Sequence, residues 1–457
     1  MADFATTYLR SFINYEHGNI PSDLKAFQLD HIQKLLDRLG DPHKAYPVIH
    51  IVGTKGKGST AIFLASVLRE AGLKVGLYTS PHLYDVKERI RVLAPQAARR
   101  RKETAFEGKI SCSAFERILK ILKPQIDHML QREALGQITF FEVVTATAFY
   151  FFAQQQVDVA VLEAGLGGRL DATNVSASDL CVITPISLDH MAQLGKTRQS
   201  IAREKSAIIK KSTQAIFLSQ QTPQVNKVIY QVAEKYQTPV FQVGCQIRCR
   251  VLRQGLDRTC FSLRMQDKEW LKLQVPLLGS HQAQNASLAV SVAWHFLKQK
   301  GIQARKAIER GLANAVWPGR CEIVNHRPYV IVDSAHNEDS MRKFLSSIKT
   351  LFPGRKAWII FGASHDKNIS SMLSMLVPHA KAICLTRSRH PRSFDFNGKI
   401  RMFRSWQKNP AIFSTASNCS IALHRFLKKA RKQDIILATG SVFIASEIRK
   451  YAHTTRK

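Results

Sequence analysis

The stretch His50–Ala61, HIVGTKGKGSTA, sets three glycines and two lysines between an apolar run and a run with helical spacing. Before it, YPVIHIV is short, β-branched and apolar, which predicts a buried strand. After it, STAIFLASVLREAG predicts a helix that stops at Gly72, a residue suited to the left-handed position after a helix end. Strand, glycine turn and helix together present a helix N-terminus and loop N–H groups outward. That arrangement seats an anion, and Lys57 adds a mobile positive charge. Only two residues separate Gly53 from Gly56-Lys57, so Gly53–Thr60 is not the Walker A pattern. A tight strand–helix turn is the plain alternative. The flanking elements, the reach of Lys57 and the hydroxyls of Ser59 or Thr60 at the helix start favour nucleotide phosphate binding.

The same rhythm continues along the chain. LKVGLYTSPHL predicts a second strand ending at Ser80-Pro81, VDVAVLEAGLGG a third ending at Glu163, and LCVITPISLDH a fourth ending near Asp189-His190. FFEVVTATAFYFFAQQQ, Phe140–Gln156, predicts a helix. Strands alternating with helices imply a mostly parallel sheet covered on both faces, with ligands beyond the carboxyl ends of its strands. From Phe241 to Val275 the runs FQVGCQIRCRVL, TCFSLRM and WLKLQV predict a small antiparallel subsheet. GSHQAQNASLAVSVAWHFLKQKG returns to helix. VWPGRCEIV, Val316–Val324, reads as a linker, after which PYVIVDSAHN, KAWIIFGASHDKN, AKAICLTRS and DIILATGSVF begin a second β-α series. The expected fold is α/β: a mostly parallel, P-loop-type ATPase domain with a small antiparallel subsheet over residues 1–315, then a smaller Rossmann-like α/β domain over 316–457. QAARRRKETAFEG, after the second strand, reads as a basic surface insertion.

At 457 residues the chain exceeds one compact core, which implies two domains or three. Lys and Arg total 67 against 34 Asp and Glu, a net charge of +33 that draws polyanions. The excess is spread out, in short clusters such as ARRRK (Ala98–Lys102) and RFLKKARK (Arg425–Lys432). No basic run is interleaved with aromatics, so nucleic acid is not the expected partner. The eight cysteines form no paired CxxC sets, and CQIRC (Cys245, Cys249) lies in a strand-like stretch; reduced thiols are expected rather than zinc. With no signal-peptide pattern and no apolar run of membrane-spanning length, the expectation is a cytoplasmic protein without membrane contact.

Three residues at separate strand ends, Ser80, Glu163 and His190, could collect Mg2+, which takes oxygen ligands, keeps several waters and bridges phosphates. Spacing alone does not join them. His190 also reads as an ordinary surface histidine, and Glu163 as a helix-capping acid. Eight motifs in order do join them: GTKGKGSTA, TSPHL, FFEVVTATAF, LEAGLGGRLDATNV, ISLDHMAQLG, IAREKSAIIK, WPGRCEIV and DSAHN. Together, across most of the chain, they resemble the folylpolyglutamate synthase/dihydrofolate synthase family, a branch of the ATP-dependent Mur ligase superfamily.

That resemblance implies an ATP-dependent ligase adding L-glutamate to dihydropteroate and to the γ-carboxylate of folates through an acyl phosphate. A monofunctional folylpolyglutamate synthase is the nearer alternative; a peptidoglycan Mur ligase or an inactive nucleotide-binding scaffold is more distant. About fifty residues precede the glycine loop, too few for the UDP-binding domain that such Mur ligases usually add. The resemblance implies ATP contacts from Thr54, Lys55, Gly56, Lys57, Gly58, Ser59, Thr60, Asn285, Arg320 and Asp333. It implies Mg2+ held by Ser80, Glu163, His190 and Lys205, a monovalent cation such as K+, and catalysis by Lys57, Lys205 and His336. Lys205 falls where the family carries a carbamylated lysine, although Ser206-Ala207 replace the usual Ala-Gly; an ordinary solvated helix lysine is the plain alternative. TFFE and AFQLD match segments lining the pterin, which implies acceptor contacts from Phe27, Gln28, Thr139, Phe140, Asp171 and Ala172, while Phe141 reads as a core residue. Small-molecule substrates and a monomer are expected.

Overall fold

The apolar runs form strands, as their β-branched composition favours. The computed structural model describes residues 4–16, 18, 28–95, 105–132, 137–265, 269–399 and 413–454. The chain divides into two units. The first runs to Arg250 and resumes at Phe261–Val275 and Gln282–Val316; the second takes Val251–Cys260, Pro276–His281 and the chain from Trp317 onward. The single cut expected near Val316 therefore misses two short excursions, which no shift in composition marks.

In the first unit, β1 (Val48–Val52), β2 (Val75–Tyr78), β3 (Ile90–Leu93), β4 (Val159–Glu163), β5 (Leu180–Ile183), β6 (Ala215–Leu218) and β7 (Val240–Gln242) form one sheet, ordered β3-β2-β4-β1-β5-β6-β7. Its strands are parallel except for the edge strand β3, antiparallel to β2. The chain leaves β1 for β2 on one side, and β5, β6 and β7 build out on the other. A crevice at such a reversal lies beyond the carboxyl end of β1, where the glycine loop begins. Helices Asp30–Arg38, Cys112–Arg132 and Phe140–Gln154 bury Leu35, Leu119, Phe149 and Phe152 against Tyr78, Ala160 and Leu162. Helices Arg198–Ser206 and Pro223–Lys235 bury Ile201, Val225 and Ile229 with Ile183, Ile216 and Leu218.

β8 (Ile247–Gln254), β9 (Thr259–Met265) and β10 (Leu271–Val275) make the small antiparallel sheet, ordered β10-β9-β8. The run FQVGCQIRCRVL, read as one strand-like segment, is split: its start is β7 of the large sheet, and the chain turns at Gly244, with φ +97°, before β8. The second unit holds β11 (Glu322–His326), β12 (Tyr329–Val332), β13 (Ala357–Phe361), β14 (Ala380–Leu385), β15 (Phe413–Thr415) and β16 (Ile435–Thr439), ordered β11-β12-β16-β13-β14-β15. Only β11 is antiparallel to its neighbour. Alternate residues serve the two faces: Ile331, Ile359 and Leu437 meet Met341, Phe344 and Ile348 on one, and Val330, Ile360 and Ile436 meet Leu423, Phe426 and Ile448 on the other. Among the described residues no helix is long and apolar enough to cross a membrane, and all eight cysteines are free thiols. The basic residues Arg99–Lys102 lie outside the described residues, as does Phe27.

Helices Lys57–Glu70 and Arg305–Asn314 pack backbone to backbone: a Cβ at Gly311 would stand 2.5 Å from Val67 Cα, and Ser66 Oγ donates to the Gly311 carbonyl at 2.8 Å. Because the obstacle is backbone, Gly311→Ala must push the two helices apart. It is expected to lower the unfolding free energy by about 1–3 kcal/mol, read from urea melts; an unchanged midpoint would show that the helices have room to spare.

Candidate active site

The glycine loop is shaped by close approaches. A Cβ at Gly53 would stand 1.8 Å from Thr184 Oγ1, and one at Gly56, with φ +87°, 2.5 Å from Asn285 Oδ1. Thr54 N–H donates to the Pro185 carbonyl at 2.9 Å, and Thr54 Oγ1 to the Ser187 carbonyl at 3.1 Å. These contacts fix the loop to the segment after β5. Gly56 is the cap of helix Lys57–Glu70, whose first turn carries Gly58, Ser59 and Thr60. Lys57 Nζ folds back to the Gly53 carbonyl at 3.2 Å, and the buried Thr60 Oγ1 has no hydrogen-bond partner. Asn285 is buried beside the loop, its Nδ2 donating to Gln282 Oε1 at 3.1 Å. Lys55 pairs at 2.9 Å with Asp189, the residue before His190, whose part in this pairing no local spacing signals.

At the next strand ends, Ser80 N–H donates to the buried Glu163 Oε2 at 3.2 Å, which brings β2 and β4 together at this edge. Glu163 ends a strand, so it caps no helix. His190 takes the left-handed conformation, φ 49°, before a short helix, and its N–H donates to Asp189 Oδ1 at 3.1 Å. Among the described residues no three His, Cys, Asp or Glu side chains gather into a metal-holding group. Lys205 is not a solvated helix lysine: it is 4% exposed, its Nζ donates to the Gly167 carbonyl at 3.3 Å, and its helix abuts the loop at Gly168. Burial pulls its pKa down to about 7, helped by the positive charge of Lys57 and opposed by Asp189 and Asp171. Thus Lys205, Lys57, Lys55, Asp189 and Asp171 share one electrostatic neighbourhood.

The residues expected to hold the acceptor are placed unevenly. Thr139 caps helix Phe140–Gln154 in a reciprocal pair with the buried Glu142, whose Oε2 takes the Thr139 N–H and hydroxyl, each at 2.7 Å. Phe140 lies in the core, with the Arg89 guanidinium 5.5 Å from its ring centroid. Phe141, set aside as core, is the ring left half-buried, and a Cβ on Gly165 would meet it at 2.7 Å. One helical step separates the two: Phe140 is buried in the core, and Phe141 packs against that core from a half-buried position beside Tyr78. Asp171 and Ala172 are buried at the start of the Ala172–Val175 turn, and Gln28 is exposed.

In the second unit, Asp333 follows β12 and accepts the N–H groups of Cys321 and Ala335, each at 2.8 Å. Burial raises its pKa to about 6 against the favourable charge of Arg320. His336 Nδ1 lies 2.9 Å from the Ser334 carbonyl, an acceptor, so this nitrogen carries the proton. Arg320, Asp333 and His336 thus gather at the carboxyl end of this unit's sheet.

The description "Mur ligase middle domain" matches residues 51–293 and "Mur ligase, glutamate ligase domain" matches residues 319–442. The dihydrofolate synthase/folylpolyglutamate synthase of Bacillus subtilis (strain 168) is 35% identical over 440 residues, covering 95% of this chain and 96% of that protein. Mycobacterium tuberculosis folylpolyglutamate synthase complexed with ADP and AMPPCP superposes with a TM-score of 0.83 at 30% identity, covering 93% and 95% of the two chains. E. coli FolC in complex with DHPP and ADP superposes with a TM-score of 0.82 at 27% identity, covering 100% and 99%.

Burial of Lys205 has a signature in stability. The unfolded lysine keeps its proton up to the ordinary value of 10.5, while the folded one sheds it above about 7. Between those values the unfolded chain binds the extra proton, so this group's contribution to stability rises with pH and its full penalty falls below the window. Lys205→Met removes the penalty. Its urea midpoint is expected to exceed that of the wild type by more at about pH 6 than at about pH 9; a pH-independent difference would contradict the burial of a titrating amine.

Proposed function

The chain belongs to the folylpolyglutamate synthase/dihydrofolate synthase family of Mur ligases, and from that premise we propose which of its residues carry the reaction and which acceptors it takes. It is an ATP-dependent ligase that joins L-glutamate to an acceptor carboxylate. The proposal rests on one observation: the buried Lys205 shares an electrostatic neighbourhood with Lys57 of the glycine loop after β1, and Ser80 and Glu163 bond to each other at the carboxyl ends of β2 and the adjoining β4.

The helix N-terminus at Gly58–Thr60 and the Lys57 ammonium hold the ATP phosphates, and Asn285 keeps the loop in place. The acceptor carboxylate attacks the γ-phosphorus, forming an acyl phosphate and ADP. The α-amine of L-glutamate then attacks the acyl carbon, and the tetrahedral intermediate collapses to amide and inorganic phosphate. Lys57 stabilises oxygens that gain negative charge in both steps. For Arg320 and Asp333 the family resemblance supports nucleotide contact, and for His336 a catalytic role. A hard cation fits the donor set at the strand ends: Glu163 carboxylate, Ser80 hydroxyl, His190, and a carbamate formed by CO2 on the readily neutralised Lys205 amine. Mg2+ held there supplies Lewis-acid stabilisation of phosphoryl oxygens. Asp171, Ala172, Thr139 and the half-buried Phe141 form the acceptor end, which favours a bifunctional enzyme taking both dihydropteroate and reduced folates.

Phosphate release with Mg-ATP and L-glutamate, with mass spectrometry of products, tests the assignment. Each of dihydropteroate and tetrahydrofolate is expected to gain one glutamyl residue, and Lys57→Ala to cost about a hundredfold or more in kcat. In 13C-bicarbonate the wild type, but not Lys205→Arg, should show a carbamate carbon. Turnover of tetrahydrofolate alone would remove the dihydrofolate synthase activity; turnover of neither would refute the function.

A further inference from the structure

A buried polar chain crosses from the central strand to the Asp171 turn. His50 lies in the middle of β1, fully buried between Ile49 and Ile51, where packing alone would favour another aliphatic residue. Its Nε2 stands 2.8 Å from Thr173 Oγ1, and its Nδ1 is buried with no hydrogen-bond partner. Burial pushes its pKa down to about 3, so the ring is neutral. Thr173 Oγ1 donates to Asp171 Oδ1, which also takes the Thr173 N–H at 3.1 Å, and Asp171 Oδ2 takes the Leu166 N–H at 2.7 Å. The far end of the Ala172–Val175 turn is held by Lys210 Nζ, which donates to the carbonyls of Asn174 and Ser176.

A hydroxyl has one proton. With that of Thr173 committed to Asp171, its oxygen can only accept from His50, so His50 Nε2 carries the ring hydrogen and Nδ1 is bare. The orphaned Nδ1 agrees, because a stranded buried N–H is rarer than an under-used acceptor. The opposite tautomer would draw the Thr173 proton toward His50 and strip a charge-assisted hydrogen bond from Asp171. His50 therefore sets the direction of the whole chain. On the acceptor assignment made above, the ligand of that carboxylate is a planar amino-heterocycle with paired N–H donors.

We infer that His50 and Thr173 are positioning residues that fix the Asp171 carboxylate as the anchor for the heterocycle of dihydropteroate. The inference rests on the acceptor assignment made under the proposed function. Neither residue touches substrate; both act through Asp171.

Steady-state kinetics with each acceptor test it. Thr173→Val keeps the shape and removes the hydroxyl; it is expected to raise KM for dihydropteroate by about ten- to a hundredfold, with KM for ATP within about threefold of wild type. Thr173→Ser should recover most of the loss. His50→Leu should copy Thr173→Val, the double variant should be no worse than either, and His50→Gln, which can return an N–H, should recover. Thermal melts accompany each variant. If Thr173→Val does not fold, the His50→Leu and His50→Gln pair makes the same comparison. A KM for ATP that rises as much as that for the acceptor, or Thr173→Val and Thr173→Ser behaving alike, would overturn the inference while leaving the function intact. Wild-type protein that turns over tetrahydrofolate but not dihydropteroate would overturn it too, by removing the anchor's ligand. Wild-type protein inactive with both acceptors would refute the function itself, and the inference with it.

Discussion

Backbone must approach backbone and side chain unusually closely at the carboxyl edge of β1, and the rest of the site depends on that constraint. Gly53 lies on Thr184 and Gly56 beside Asn285, with no room for a Cβ at either position. Gly311 does the same one layer away, seating helix Arg305–Asn314 on the helix that the loop begins. Without these contacts the N-terminus of helix Lys57–Glu70 would not be aimed beyond the sheet, and the dipole and loose N–H groups that favour phosphate would point elsewhere. The glycines therefore serve geometry first and the ligand through it.

Charge is arranged around that edge with equal economy. Three lysines, at 55, 57 and 205, stand near one another, a costly grouping in a folded protein. Lys55 is offset by Asp189 at 2.9 Å. Lys205 is relieved by burial, which favours its neutral form and leaves Lys57 as the mobile cation of the loop. An amine held neutral near physiological pH is available for chemistry that an ordinary surface lysine lacks.

Much of the fold was legible because parallel strands covered on both faces are almost uniformly apolar, and such runs stand out in sequence. β1, β2, β4, β5 and the second β-α series are of this kind. The edge strands β3 and β11 were not read, since their partners lie on one side only and their composition, as in IRVL and EIVNH, is mixed. The division between β7 and β8 depends on one left-handed glycine rather than on hydrophobic pattern. Within the site, the loop could be read from local spacing. The contact of Ser80 with Glu163 joins the ends of two strands far apart in sequence, so family motifs and not spacing pointed to it. The Lys55–Asp189 pair joins the ends of the neighbouring strands β1 and β5, far apart in sequence, and the difference in burial between Phe140 and Phe141 turns on a single helical step; neither leaves a periodic trace. Nothing in the described structure explains the +33 net charge.

The central step proposed for this edge is activation of a carboxylate by phosphorylation. The most direct measurement uses acceptor labelled with 18O in its reacting carboxylate, followed by mass spectrometry of the inorganic phosphate. Passage through an acyl phosphate predicts one labelled oxygen transferred to phosphate for each amide formed. Amide formation with unlabelled phosphate would contradict it.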